Sequence, residues 1–80
     1  MERKEVLEIL RDILTKVLKR PGIQLDYGMS ADDVEGWDSL TNMMIISETE
    51  KHFHIHFKMR DIIRMKTIGD MCDIIIQKQK

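Results

Sequence analysis

The stretch GWDSLTNMMIISETEKHFHIHF, residues 36–57, carries most of the information about the fold. At about 100° per residue, a helix over residues 39–53 has two apolar sides. One side consists of Ile45, Ile46, Thr49 and Phe53, and the nearly opposite side consists of Leu40, Met43, Met44 and Ser47. A helix in so small a chain rarely has two core faces. We expect the side ending in Phe53 to face the core and the Met-rich side to lie near solvent, with packing beneath the preceding loop as the alternative.

Working outward, residues 2–18 have the periodicity of an amphipathic helix, which KRPG at residues 19–22 is expected to end. Its apolar stripe is Val6, Leu10, Ile13 and Val17, widened by Leu7, Ile9, Leu14 and Leu18. Residues 22–38 have no sustained period, and SADD at residues 30–33 is typical of a capped turn. We expect the scattered apolar residues of this long loop to be buried against the helices. They are Ile23, Leu25, Met29, Val34 and Trp37.

The last third of the chain predicts a buried loop and two further helices. FHIHF at residues 53–57 alternates like a strand but has no partner strand, so we expect a loop that inserts its apolar residues into the core. A short helix is expected over residues 58–65. The last helix begins after Thr67, with Asp70 at the capping-box position, and runs to about Gln77. The sequence therefore predicts an all-α, small four-helix bundle with three main helices and one short third helix, as a single domain over residues 1–80.

Size and composition restrict the function classes. An 80-residue chain buries only about 60% of its extended surface, which leaves little material for a deep enzyme pocket. No apolar run approaches the roughly 20 residues that a membrane span needs. With a lone cysteine, Cys72, on an apolar stripe and no visible leader, we expect a cytoplasmic protein with a buried thiol. His52, His54 and His56 have no ligand partners at suitable spacing, so no metal site is expected.

Charge is strongly segregated along the chain. Residues 21–50 contain seven acidic residues and no Lys or Arg, whereas residues 1–20 and 51–80 are both net basic. Acidic residues also collect at helix starts for local reasons, so capping is one explanation. The other is an acidic surface that steers a basic partner. Nucleic acid is not an expected partner, because this surface would repel phosphate and the basic residues lack interleaved aromatics.

Ser39, inside GWDSL, has three candidate roles. A hydrolase nucleophile would need a base, an oxyanion hole and a water-excluding cleft, and the chain is too short for the larger domain that a Gly-Asp-Ser-Leu esterase requires. We therefore assign no catalytic residue. As a helix N-cap, Ser39 would bind first-turn N–H groups. As an attachment site, it would place a phosphodiester at the positive end of the helix dipole, with a divalent cation bridging to Asp38.

The run over residues 36–57 resembles the prosthetic-group segment of acyl carrier proteins, with its Asp-Ser-Leu triplet, the amphipathic helix after it and the Phe-x-Ile-x-Phe close. The order and lengths of the predicted helices extend the resemblance over the whole chain. Trp37, the sparsely acidic start of the second helix and the basic segment KMRDIIRMK at residues 58–66 are more similar to discrete carriers of secondary pathways than to the main fatty-acid carrier.

The resemblance implies a non-enzymatic carrier, with 4′-phosphopantetheine from coenzyme A attached to Ser39 by a phosphopantetheinyl transferase. Its thiol would hold acyl or aminoacyl groups as thioesters, supplied by a loading ligase and consumed by a synthase or transferase. Asp38 would help to place Mg²⁺ during the transfer. The partner-facing residues would be Leu40, Met43, Met44, Ser47 and Glu48. We expect a monomer. The alternative is a helical protein-interaction module in which Ser39 is only a helix cap.

Overall fold

Four α-helices occur within residues 1–79, and their order matches the predicted bundle. The structure is a computed structural model that describes residues 1–79. The helices are α1 (Arg3–Leu18), α2 (Ser39–Phe53), α3 (Met59–Arg64) and α4 (Ile68–Lys78), with a 3₁₀ turn at Ala31–Asp33. No strand occurs within that range. Helix α1 packs against both α2 and α4, so the all-α prediction with a short third helix is confirmed.

One apolar cluster joins the helices, and most of the residues predicted for the core belong to it. Helix α1 contributes four fully or nearly buried residues, and its Val17 is partly buried. The apolar stripe predicted for α4, which consists of Ile68, Met71, Cys72 and Ile75, is buried throughout. The buried apolar residues are Val6, Leu10, Ile13, Leu14, Val34, Ile45, Ile46, Phe53, Phe57, Ile68, Met71, Cys72 and Ile75.

Helix α2 has the two sides that its sequence predicts. Ile45, Ile46, Thr49 and Phe53 are buried, and the Thr49 hydroxyl donates a hydrogen bond to the Ile45 carbonyl at 2.7 Å. The opposite side is open to solvent: the exposed fractions are 73% for Leu40, 57% for Met43 and 49% for Met44. The alternative, in which this patch packs beneath the preceding loop, is wrong. The loop instead contacts the start of α4.

The long loop docks onto the start of α4. The Ile68 N–H donates to the Met29 carbonyl and the Gly69 N–H to the Tyr27 carbonyl, both at 2.8 Å. Close approach requires a glycine here, because a Cβ on residue 69 would lie 3.0 Å from the Tyr27 carbonyl oxygen. Of the loop residues expected to be buried, only Val34 is fully so; Ile23, Leu25, Met29 and Trp37 are partly buried against the core.

The end of α1, the capped turn in the long loop and the FHIHF loop before α3 also follow the predictions. Helix α1 ends because Lys19 adopts a left-handed backbone with φ of 55°. Ser30 and Asp33 cap the 3₁₀ turn, with the Ser30 N–H donating to the Asp33 carboxylate at 3.0 Å. In the FHIHF loop, Phe57 is buried, and its N–H donates to the Glu50 carboxylate at 2.8 Å.

No helix within residues 1–79 is both long and apolar enough to cross a membrane. Over the same residues, no group of three or more His, Cys, Asp or Glu side chains is arranged to hold a metal ion. The three histidines of the FHIHF region are exposed at the surface.

Candidate functional site

The start of α2 is fixed by a tight turn in the chain before it. Gly36 has a φ of 89°, a left-handed conformation that glycine adopts without a steric penalty. The Trp37 N–H then donates to the Val34 carbonyl at 3.2 Å. This turn reverses the chain so that residues 38 and 39 begin a helix at the surface, and both side chains are exposed there.

Asp38, and not Ser39, is the N-cap of α2. Asp38 Oδ1 accepts the N–H groups of Leu40 at 3.0 Å and Thr41 at 2.9 Å. In return, the Thr41 hydroxyl accepts the Asp38 N–H at 2.8 Å, which completes a reciprocal capping box. The interpretation of Ser39 as a cap is therefore wrong. The physical reason is that a side chain able to return the bond lies three residues after Asp38, at Thr41.

The capping bonds keep the Asp38 carboxylate ionised. The hydrogen bond from the Thr41 N–H lowers the pKa of Asp38 most. Desolvation is the next largest effect and opposes it, and the Thr41 hydroxyl and the Leu40 N–H then lower the pKa further. All these bonds reach Oδ1, and within residues 1–79 no hydrogen bond reaches Oδ2 of this exposed side chain. A negative charge with one free oxygen fits the role of a Mg²⁺ ligand during transfer of a phosphoryl group.

Trp37 and Asn42 lock the turn to the first turn of α2, a contact that the sequence interpretation missed. The Trp37 indole N–H donates to the Asn42 side-chain carbonyl at 2.9 Å. The Thr41 hydroxyl adds a second tie, because its single proton is shared between the Gly36 carbonyl oxygen at 2.8 Å and Asp38 Oδ1 at 3.2 Å. The spacing Asp-x-x-Thr was a signal for the capping box. The Trp37–Asn42 bond left no comparable local signal.

Ser39 is the first residue of α2, and its hydroxyl takes part in none of the bonds that build this helix start. The side chain is exposed, so a group attached to it would project into solvent. Asp38 already binds two of the first-turn N–H groups, so these are not available to a phosphodiester on Ser39. The positive end of the helix dipole remains, which favours an attached anion.

Beside Ser39, a groove of about 380 Å³ runs between α2 and the end of α1. It brings together all five residues predicted to face partners. The lining residues are Lys16, Val17, Lys19, Leu40, Met43, Met44, Ser47 and Glu48. The floor is apolar, and Lys16 Nζ lies 3.7 Å from Glu48 Oε2 at its edge. The groove is thus less uniformly acidic than the segregation of charge in the sequence indicated.

Comparison with known protein families now decides the class of this site. A family model described as "Phosphopantetheine attachment site" matches residues 8–75, which is most of the chain. The chain belongs to this phosphopantetheine-attachment family. Members of the family are carriers and not enzymes, and the group they carry is covalently attached phosphopantetheine.

Solved structures support the same assignment. The chain is similar to the solution NMR structure of a holo acyl carrier protein from Geobacter metallireducens, at 33% sequence identity and a TM-score of 0.85. The match covers 91% of this chain and 84% of that one. No curated protein sequence matches the chain. The protein is therefore a phosphopantetheine carrier with the acyl-carrier fold, as the resemblance in its sequence implied.

The single cysteine of this carrier is buried and poorly reactive. Cys72 has no exposed surface, and burial raises the pKa of its thiol to about 11. Because the thiolate is the reactive form, a native Cys72 does not compete as a nucleophile with the exposed thiol of a phosphopantetheine group.

Proposed function

We propose that Ser39 is the residue to which 4′-phosphopantetheine is attached. The observation that carries this proposal is the exposed Ser39 hydroxyl, free of structural hydrogen bonds and directly after an ionised Asp38. Both residues lie within the span that the family model matches. When attached, the group supplies a thiol that holds an acyl or aminoacyl unit as a thioester.

The chemistry asked of the chain is that of a phosphoryl acceptor. Ser39 Oγ forms a bond to the phosphorus next to the pantetheine of coenzyme A, and the pyrophosphate P–O bond breaks to release adenosine 3′,5′-bisphosphate. The hydroxyl proton passes to a base of the phosphopantetheinyl transferase. The Asp38 carboxylate would help to hold Mg²⁺, whose charge would offset the repulsion between the carboxylate and the incoming phosphates.

We assign the apolar groove to the enzymes that load and use the carrier. Leu40, Met43 and Met44 are large, exposed and adjacent to Ser39, and Met side chains repack readily against different partners. Ser47 and Glu48 continue the same side of α2. A loading ligase and a downstream synthase or transferase would each approach Ser39 across this surface.

The pathway we favour is a secondary one, served by a discrete, monomeric and cytoplasmic carrier. Thr41 and Asn42 occupy positions in the first turn of α2 where a strongly acidic helix would carry carboxylates, and both are committed to hydrogen bonds. The docking surface is mainly apolar, with one ion pair at its edge. Such a surface suits partners that recognise it by apolar contact more than by a basic patch.

Incubation with coenzyme A, Mg²⁺ and a broad-specificity phosphopantetheinyl transferase, followed by intact mass spectrometry, tests the attachment. We expect one added phosphopantetheine on the wild type and on Ser47→Ala, a matched exposed serine on the same side of α2. Ser39→Ala should gain none. Addition that survives Ser39→Ala would sink the proposal, as would a wild type that is never modified.

Asp38→Asn tests the proposed role of the carboxylate separately. Asn caps a helix about as well as Asp, so the variant should remain folded. The loss of charge should lower the rate of modification and raise the Mg²⁺ concentration needed for half-maximal rate. A rate and Mg²⁺ dependence equal to those of the wild type would show that Asp38 only caps the helix.

A further inference from the structure

The outer face of α3 combines exposed apolar and basic side chains in one place. Met59 and Ile63 have exposed fractions of 72% and 65%. At about 100° per residue they lie about 40° apart, and Arg60 and Arg64 follow on the adjoining side of the helix. Both arginines are exposed. We call these four residues the α3 face.

The only acidic residue of α3 points away from this face and is already paired. Asp61 Oδ2 lies 2.8 Å from Lys78 Nζ on α4, and the same oxygen accepts the Lys58 N–H at 2.8 Å. The bond from Lys78 lowers the pKa of Asp61 most, so the carboxylate stays charged. Its charge therefore serves mainly to hold α3 on α4, and the neighbouring Arg60 adds a weaker attraction without forming an ion pair.

The basic side chains around the α3 face form no ion pair with the rest of the described chain. Among residues 1–79, none of the four basic side chains within and beside α3 forms an ion pair. They are Lys58, Arg60, Arg64 and Lys66. Two large apolar side chains and two unpaired arginines thus share one face of a helix of six residues, and Lys58 and Lys66 lie just beyond its two ends.

The chemistry of this surface fits an acidic protein better than a membrane. Met and Arg are enriched at the centres of protein interfaces, and the planar guanidinium binds a carboxylate through two parallel bonds. A helix of one and a half turns with only two exposed apolar residues has too little apolar face to lie in a lipid interface. Complementary carboxylates on a partner would both attract it and fix its orientation.

We propose that the α3 face docks onto a partner protein through an apolar pocket for Met59 and Ile63 whose rim carries Asp or Glu side chains paired with Arg60 and Arg64. This surface is separate from the groove beside Ser39, which is lined by residues of α1 and α2. The docking therefore goes beyond attachment of the phosphopantetheine group, and it does not require Ser39 to be modified.

The photo-cross-linking residue p-benzoylphenylalanine in place of Ile63 identifies the partner in the native host cells. The same residue in place of Lys4, which is exposed on α1, is the control. The protein captured only from position 63 is then purified, and its Kd is measured by calorimetry for the wild type and for two double variants. These are Arg60→Glu with Arg64→Glu, and Lys4→Glu with Arg11→Glu as the matched charge reversal on α1.

We expect the α3 double variant to weaken binding by about 10-fold or more and the α1 double variant to change it by less than about 3-fold, with unchanged melting temperatures. Replacing the partner's contacting Asp or Glu residues with Lys should restore binding to the α3 double variant. Ser39→Ala should bind like the wild type, so this outcome is independent of the attachment experiment.

Three results would overturn the proposal. The first is that position 63 captures no protein, or captures only copies of this chain. The second is that the purified partner binds the α3 double variant as tightly as the wild type. The third is that vesicles containing phosphatidylglycerol bind the wild type and lose it on reversal of Arg60 and Arg64, while no protein partner is captured, which would assign the α3 face to an anionic membrane.

Discussion

Helices α2 and α4 both begin with a capping box, but the two helix starts lie in different surroundings. At α2, Asp38 is the cap and Thr41 returns the bond. At α4 the residue types are exchanged: the Asp70 N–H donates to the Thr67 hydroxyl at 3.1 Å, and the Thr67 N–H donates to the Asp70 carboxylate at 3.1 Å. Locally, the two starts are equivalent capping boxes.

The residues around each helix start decide whether that start is only structural or is accessible for chemistry. At α4, the next two N–H groups, of Ile68 and Gly69, bind loop carbonyls, and both residues are buried. At α2, the corresponding first residue is Ser39, which is exposed and has a free hydroxyl. A cap motif alone therefore does not reveal function. The difference lies in whether the rest of the chain covers the first turn.

The largest expected effect on stability comes from Gly69→Ala, at the start of α4 that the loop covers. Alanine favours a helix over glycine by up to about 1 kcal/mol, so the helix alone would predict a more stable protein. We expect the opposite, a loss of about 1–3 kcal/mol, because the new Cβ would lie 3.0 Å from the Tyr27 carbonyl oxygen and 3.3 Å from Tyr27 Cβ, and that carbonyl is held in place by the Gly69 N–H. Urea denaturation measures the change. Gly28→Ala is the control, since no atom lies within 4 Å of a Cβ there.

Removing the cap at the start of α4 should lower the stability by less than Gly69→Ala does. Thr67→Ala deletes the acceptor of the Asp70 N–H, and we expect the free energy of unfolding to fall by about 0.5–2 kcal/mol. Phosphopantetheine loading, measured by intact mass, should be unchanged in the folded variant. A loss of loading at full stability would contradict the separation between the two helix starts.

The exposed start of α2 should affect how the stability of the protein depends on pH. The folded-state pKa of Asp38 is lowered from 3.8, so its stabilising contribution is fully present above about pH 3.8 and is lost as the pH falls through the lower folded value. Asp38→Asn should match the wild type near neutral pH and lose less stability on acidification. Urea midpoints between about pH 6 and pH 3 test this. Parallel curves for the two proteins would contradict it.

The smallest expected effect on stability comes from Ser39→Ala. Because Asp38 makes the capping bonds, the variant should unfold within about 0.5 kcal/mol of the wild type. If Ser39 were the cap, the loss would be about 0.5–2 kcal/mol. Thermal and urea denaturation of the unmodified protein distinguish the two cases. A loss of about 0.5–2 kcal/mol for Ser39→Ala would contradict our finding that the Ser39 hydroxyl takes no part in capping α2.

Local patterns in the sequence predicted the elements well, because helix periodicity and caps depend on neighbouring residues. The bounds of α2 and the buried stripe of α4 were predicted from spacing alone, and so was the exposure of Met43 and Met44. Contacts between distant residues were not. The docking of Tyr27 onto Gly69 depends on the path of a loop without a period, and no spacing in the sequence encodes it.

At the site, the sequence predicted the exposed serine and its neighbours but assigned the cap to the wrong residue. Asp38 and Ser39 are adjacent and both suit an N-cap, so residue type does not decide between them. The decision depends on Thr41, which returns a bond to Asp38. The groove was predicted from one side only: periodicity found the residues of α2, whereas Lys16 and Lys19 enter it through the packing of α1 against α2.

The attachment of phosphopantetheine to Ser39 is the central claim, and fragmentation mass spectrometry of the modified protein tests it most directly. The wild type is loaded with coenzyme A, Mg²⁺ and a phosphopantetheinyl transferase, digested, and the peptide containing residues 36–51 is fragmented. The account predicts the phosphopantetheine on Ser39, with Thr41 and Ser47 unmodified. Phosphopantetheine on Thr41, Ser47 or any residue other than Ser39 would contradict it.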